Sequence, residues 1–416
     1  MSKNDVYIYS PSASEPLGHP IYVQQLVKYI SKVYSVHLYT LKHHALNSDL
    51  IKMGAKLIVN ESFVPGGMDK NRFLGFGIFS KTVYGLMRIR YSYKLIKDFY
   101  NSTSTGQIFH LLEFEYISCY FFFLYNRTKL KNTILGFHTA DFEWIKGRSY
   151  QINIYKTLLR YMLPSLIRSA YGATIMGETL KERFISNLKI EKYRKNIHFS
   201  GYGNDSSFKD INKTKSREEL GIKLDESVRL GLFFGVIRND KGIKELIDSL
   251  KDINQLVYLL IAGSVWDISE DEIKARIKKN DIEGRVILHL GYITENDISK
   301  YFSAADFIFL THKGSFYSFS GPLSLSVEHR RPVVATNVGE IGYFVQRFNL
   351  GITYEADNWP DLVIKTNQFI KYQISNSIPE YGFKEAMEYN SWNAVSERIM
   401  NIYKTFTKLN KDKKAQ

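Results

Sequence analysis

Lys313–Thr336 reads KGSFYSFSGPLSLSVEHRRPVVAT, and it sets the fold class. Val333-Val334-Ala335 is an apolar run closed by Pro332 on one side and by Asn337 and Gly339 on the other, the pattern of a strand buried in a parallel sheet. About ten residues before Arg331 read as a short helix, and the small-residue loop Ser320-Gly321-Pro322 opens it. Loop, helix, turn and buried strand in that order make one unit of a parallel α/β sheet. The first N–H groups of a helix have no intrahelical partner and lie at the positive end of its dipole, so the Ser320–Pro322 loop is a candidate anion site.

The same alternation runs outward. Strands are expected at Val6–Tyr9, Ser35–Thr40, Lys56–Val59, Gln107–Leu112, Asn132–Phe137, Thr174–Met176 and Asn196–Phe199, with helices at Pro20–Lys32 and Tyr116–Tyr125. The pattern restarts with a strand at Arg229–Phe234, a helix at Lys241–Leu250, a strand at Leu256–Ala262 and a helix at Glu270–Asn280. Val286–Leu290, Glu295–Ser303 and Asp306–Leu310 continue it into the quoted segment. A chain of 416 residues is too long for one ordinary core. Two strand–helix sets predict an α/β protein of two doubly wound, Rossmann-like domains with ligands at the carboxyl ends of the strands. The expected boundaries are 1–203 and 204–390, with a closing segment 391–416. The polar run Gly203–Glu218 is the expected linker, and Lys408–Gln416 is expected to fray.

Composition narrows the function. Cys119 is the only cysteine, which rules out an intramolecular disulfide and suits a reducing compartment. The N-terminus has no apolar core of signal-peptide length, and the apolar run Tyr116–Tyr125 is too short to span a bilayer. The net charge of +14 is uneven: residues 1–200 hold 27 Lys and Arg against 13 Asp and Glu, and residues 201–416 hold 29 against 29. One half therefore faces a polyanion. Basic, aromatic and aliphatic residues mix in Lys81–Lys97 and in Trp144–Arg168, as in helices that lie on an anionic membrane surface, and equally as in packed helices with a solvated basic face. No helix-turn-helix, zinc-finger or RNP-type signature accompanies the charge, so nucleic acid is not the expected partner.

Phe233–Gly242, FFGVIRNDKG, reads as a buried strand ending in a basic turn before a helix. An Arg fork at Arg238 and a point charge at Lys241 suit a diphosphate and the charge that grows on it as it leaves. Together with the quoted segment, this run resembles the retaining glycosyltransferases of family 4, glycosyl transferases group 1, which have the GT-B architecture of two Rossmann-like domains facing each other. The likeness extends over most of residues 229–403. Leu260–Ser264 resembles the strand and glycine, Gly263, beneath the nucleotide. Tyr292 and Ile293, after Gly291, resemble the residues whose backbone meets the base. Asn337–Ile341 supplies Glu340 for a ribose or sugar hydroxyl, and Ser391–Tyr403 resembles the helix that crosses back to the first domain.

What the resemblance implies is carried by particular residues. Arg238, Lys241 and His138 are the expected catalytic residues, with His138 at a strand end near the reacting sugar. Donor contacts are expected from Gly18, Gly263, Tyr292, Ile293, Ser320, Gly321, Pro322, Leu323, Ser326 and Glu340. Acceptor contacts are expected from His19, Tyr22, Glu113 and Asp141, with Glu115 divided between that role and a solvated loop. No metal ligand set accompanies His138, and no cofactor is expected beyond the nucleoside-diphosphate sugar. The family's two glutamates, counted back from Pro332, fall at Ser318 and Ser326. Glu328 lies two positions late and so points to the other side of the helix. The implied activity is transfer of a sugar, with retention and without a metal, to a glycan or lipid-linked acceptor of surface polysaccharide synthesis. The implied place is the cytoplasmic side of the membrane. The alternatives are a non-catalytic GT-B subunit, a membrane-associated binding protein and a GT-B nucleotide-sugar epimerase.

Overall fold

The computed structural model describes residues 3–13, 19–41, 44–60, 77–103, 107–143, 149–205, 212–374 and 380–415. The chain divides into two units, one of residues 1–202 with 392–416 and one of residues 203–391.

The first unit is built on seven parallel strands: β1 (Asp5–Tyr9), β2 (Ser35–Leu41), β3 (Ala55–Asn60), β4 (Ile108–Leu111), β5 (Thr133–Phe137), β6 (Gly172–Ile175) and β7 (Ile197–Phe199). Their order is β3-β2-β1-β4-β5-β6-β7. On one face Val6, Ile8, Ile108 and Ile134 pack against Val23, Leu26, Val27 and Ile30, the apolar stripe of the helix His19–Ile30. The helix Trp392–Ala415 completes that core with Trp392, Val395, Ile399 and Tyr403. Buried His110 ties it in: Nδ1 pairs with the Tyr403 hydroxyl at 2.7 Å and Nε2 with Thr174 Oγ1 at 3.2 Å. Burial pushes the His110 imidazole down to about 3, so the ring is neutral. The other face is aromatic, with Tyr9, Tyr39, Phe99, Tyr100 and Phe109 in mutual contact.

The second unit has six parallel strands: β8 (Arg229–Phe234), β9 (Val257–Gly263), β10 (Val286–Leu290), β11 (Phe307–Leu310), β12 (Val333–Thr336) and β13 (Gly351–Tyr354). The order is β10-β9-β8-β11-β12-β13. Side chains alternate between two cores as the pleat requires: Leu260 and Ala262 enter one, Leu259 and Ile261 the other, and Val333 and Ala335 oppose Val334. In each sheet the strand order reverses once, between β1 and β4 and between β8 and β11, and a crevice opens there at the carboxyl ends.

Three expectations change. Lys241–Leu250 is not one helix, because Gly242 at φ +67° separates a 3₁₀ turn, Asn239–Lys241, from the helix Ile243–Ser249. The end of the expected linker is folded: Lys213–Glu219 is a helix capped by Asn212, and Arg217 is buried with Nη2 on Asp306 Oδ2 at 2.7 Å. Residues 206–211 of that linker lie outside the described residues. The expected fraying at the C-terminus gives way to helix through Ala415.

Candidate functional site

Seen from the second unit, the crevice between β8 and β11 is built by four loops. After β8 the chain runs Gly235-Val236-Ile237-Arg238, held to the end of β9 by Gly235 N–H to the Ala262 carbonyl (2.9 Å) and Ile237 N–H to the Ser264 carbonyl (2.8 Å). The two backbones nearly touch: a Cβ on Gly263 would lie 2.0 Å from the Gly235 oxygen, so that position admits only glycine. The turn Asn239–Lys241 then brings Lys241 back over the strand end. A Cβ placed on Gly235 would meet Lys241 Nζ at 3.2 Å and Pro322 Cγ at 3.9 Å. The ammonium therefore lies beside Gly235, and the start of the helix Gly321–Glu328 borders the same glycine.

That helix start is poorly satisfied within the protein. Ser320 is the N-cap residue, 3% exposed, and its Oγ is buried without a hydrogen-bond partner among the described residues. The N–H groups of Leu323 and Ser324 return to the Ser320 carbonyl, and Pro322 has none to give. Of the first-turn amides this leaves Gly321, at the positive end of the helix. The electrostatics match. Burial first, then the neighbouring Arg238, pushes the Lys241 ammonium down to about 8, still mostly charged at neutral pH. An arriving anion offsets the repulsion by Arg238 and stabilises the charged ammonium.

Arg238 is not free in this state. Its Nε and Nη2 grip Asp240 in a bidentate pair at 3.0 and 2.8 Å, a partner the sequence reading did not assign. Ser326 also differs from expectation: it is fully buried and its Oγ donates to the Leu323 carbonyl at 2.7 Å, so the hydroxyl is spent inside its own helix and not offered to a ribose. Leu323 is fully buried in the core and reaches the site only by its backbone. Glu328 accepts from the Asp205 N–H at 2.9 Å, and Ser324 bonds Asn204, so the rear of this helix anchors the segment that begins the unit. Tyr292 is 60% exposed after Gly291, and Ile293 packs on the core. Glu340 is buried in the first turn of the helix Gly339–Arg347. A residue that the sequence reading passed over, His312, is buried two positions past the end of β11. A lone histidine just after the apolar run Phe307–Leu310 was the available signal.

In the first unit the corresponding crevice is carboxylate-centred. Glu113, after β4, receives the Ser10 hydroxyl at 3.2 Å, the Ser12 N–H at 3.3 Å and the Ser12 hydroxyl, all from the loop after β1. Glu115 is neither a ligand group nor a solvated loop residue: it caps the helix Tyr116–Tyr125 through the N–H groups of Ile117 and Ser118 and accepts from the Tyr155 hydroxyl. His138 has Nε2 on the Leu112 carbonyl at 2.6 Å and Nδ1 at 3.1 Å from Met176 Sδ. Burial lowers its pKa, so Nε2 carries the proton and donates. Tyr22 is 3% exposed and packs on Trp392 at 5.5 Å between ring centres, which makes it core and not an acceptor contact. Asp141 faces Lys156 at 3.9 Å. His19 begins its helix, and Gly18 lies outside the described residues. Among the described residues no group of three or more His, Cys, Asp or Glu side chains is placed to hold a metal.

Residues 229–371 match the family model of glycosyl transferases group 1. The second unit carries a glycosyl transferases group 1 domain. An uncharacterized glycosyltransferase of Methanocaldococcus jannaschii is 23% identical over 333 residues, 71% of this chain and 89% of that protein. Among solved structures, HepE of Anabaena in complex with UDP and glucose superposes with a TM-score of 0.65 at 14% identity, over 97% of this chain and all of that one. Sucrose-phosphate synthase of Thermosynechococcus elongatus gives 0.70 at 14%, over 98% and 100%. The lipopolysaccharide outer core galactosyltransferase WaaB gives 0.61 at 13%, over 97% and 99%. The fold is GT-B. The group 1 domain contains Arg238, Lys241, His312 and the Ser320–Pro322 loop in full.

Proposed function

We propose that the protein is a metal-independent, retaining glycosyltransferase that moves a hexose from a nucleoside-diphosphate sugar to a glycan or lipid-linked acceptor. The observation that carries this reading is Lys241 beside Gly235 and the Gly321–Glu328 helix start, at the strand-order reversal of the group 1 domain. A diphosphate placed there meets the Lys241 ammonium and the Gly321 N–H, and Arg238 meets it by releasing Asp240. These groups stabilise the negative charge that forms as the bond between the anomeric carbon and the phosphate oxygen breaks. The acceptor oxygen bonds to that carbon from the face the diphosphate leaves, and its proton goes to the departing phosphate. The solved neighbour HepE, which binds UDP and glucose, supports a nucleotide-sugar donor, and WaaB supports a surface-glycan acceptor.

The acceptor side of the reading places the first unit at an anionic membrane surface on its cytoplasmic face. The helix Tyr116–Tyr125 packs against both Gly77–Asn101 and Tyr150–Ser169. The three expose Leu86, Met87, Tyr125 and Tyr161 together with Arg88, Arg90 and Arg160. Exposed apolar side chains together with arginines suit insertion among acidic headgroups. No helix among the described residues is long and apolar enough to cross a membrane.

The test is a thermal-shift panel of UDP-, GDP-, ADP- and CMP-sugars, followed by transfer assays on lipid-linked acceptors. One sugar is expected to raise the melting temperature and to be transferred. Binding without transfer would favour a non-catalytic subunit, for which Ser318 and Ser326 in place of glutamates speak. A new sugar nucleotide formed without acceptor would mark an epimerase.

A further inference from the structure

Thr311-His312-Lys313, the segment leaving β11, is clamped on both sides of His312 to the turn that carries Arg238 and Lys241. Thr311 Oγ1 donates to the Lys241 carbonyl at 2.8 Å, and the Lys313 N–H donates to the Asp240 carbonyl at 2.9 Å. His312 is thereby fixed against the cationic turn. Its ring is 3% exposed and lies 4.2 Å from Phe316, and its Nδ1 is buried with no hydrogen-bond partner among the described residues. That is unusual, because a buried polar atom that has lost water normally regains a partner. Within this molecule His110 and His138 both place each ring nitrogen against a protein atom.

The charged groups around His312 explain its state. Lys241 and Arg238 are close enough to act on its charge, Asp240 is paired to Arg238, and Lys313 and Glu245 are paired to each other. Burial and the two cations hold the imidazole well below its ordinary value, so it is neutral. An anion between Lys241 and Arg238 offsets that field and favours the imidazolium.

We propose that His312 is a third phosphate-contacting group of the donor site, one that takes a proton from solvent as the diphosphate binds and then donates from Nδ1 to a phosphate oxygen. The proton returns to solvent when the nucleotide leaves, so none is consumed. This inference rests on the donor-site reading above.

Isothermal titration of UDP, GDP, ADP and CDP at pH 7, in buffers of low and high ionisation enthalpy, tests it on wild type and His312→Gln. Comparing the two variants cancels protons exchanged by Lys241 and by the nucleotide itself. Wild type is expected to take up roughly half to one proton more per bound nucleotide than the variant. The variant is expected to bind roughly tenfold more weakly, the loss of a charge-assisted bond. Equal uptake in the two, with binding intact, overturns the role of His312 and leaves the donor site standing. No binding of any of the four to wild type overturns both. Should the variant not fold, ¹⁵N-histidine spectra of wild type with and without nucleotide decide it: an imidazolium signal appearing on binding supports the proposal, and an unchanged neutral ring refutes it.

Discussion

The two strand-order reversals of this molecule share a topology and differ in chemistry. Between β1 and β4 the crevice is closed by Glu113, which collects hydrogen bonds from Ser10 and Ser12. Between β8 and β11 it is lined by Arg238 and Lys241, and by Ser320 and His312 with buried polar atoms that have no partner among the described residues. Sheet order makes a crevice in both cases, and the residues in the first few positions after the strands decide what enters it. A self-satisfied carboxylate suits hydroxyl-rich or neutral ligands. Cations with nearby unpaired donors suit a phosphate.

The sharpest way to break this contrast is Lys241→Ala. It is expected to lower kcat/KM for the donor about a hundredfold or more, near 3 kcal/mol, as for loss of one preorganised charge in a shielded site. Steady-state kinetics checks it, and unchanged kinetics would remove Lys241 from the phosphate. Next comes Gly263→Ala, whose Cβ would sit 2.0 Å from the Gly235 oxygen. It should destabilise the second unit by about 2 kcal/mol or more through forced backbone movement. Hydrogen exchange should show the loss in β8 and β9 and leave β1–β7 protected as before.

A smaller effect comes from pH. The pKa of Lys241 is lowered to about 8, and an anion beside it should raise it. With His312 replaced by Gln, so that only this group is read, nucleotide affinity should therefore hold below pH 8 and fall by up to about tenfold per unit above it, until the bound-state value is passed. Titrations of the His312→Gln protein at pH 7 to 9.5 follow this, and adding Lys241→Ala should abolish the slope. The first unit supplies the smallest effect: Glu113→Gln keeps the shape but weakens three charge-assisted bonds, and is expected to cost about 1 kcal/mol of stability with donor affinity unchanged. A change in donor affinity there would mean that the two crevices do not act on separate ligands.

Much of the fold was legible. Apolar runs such as Phe307–Leu310 and Val333–Ala335, bounded by Pro, Gly and Asn, mark strands buried on both faces, and their alternation with helices yields the architecture. The second crevice was legible in part, because strand-end motifs like Phe233–Gly242 keep cations and glycines close in sequence. What could not be read were contacts set by three-dimensional neighbours. The grip of Asp240 on Arg238 depends on the turn's rotation, and the inward hydroxyl of Ser326 depends on how its helix is buried. Glu115 looked like an exposed acid because a capping role shows only once the helix start at Tyr116 is fixed. His312 stayed hidden because nothing near it in sequence names the turn that it packs against.

The helix Trp392–Ala415 belongs to the first unit, yet it is made after the second. Trp392, Val395, Ile399 and Tyr403 form one wall of the core around β1 and the helix His19–Ile30, and Tyr403 is the hydroxyl partner of buried His110. On the ribosome, the whole of the group 1 domain has been translated before that wall exists. The usual order of synthesis, in which the N-terminal domain is complete first, is thus inverted here. A chain that stops short of residue 392 has every residue of the phosphate crevice but leaves the first unit's core open to water.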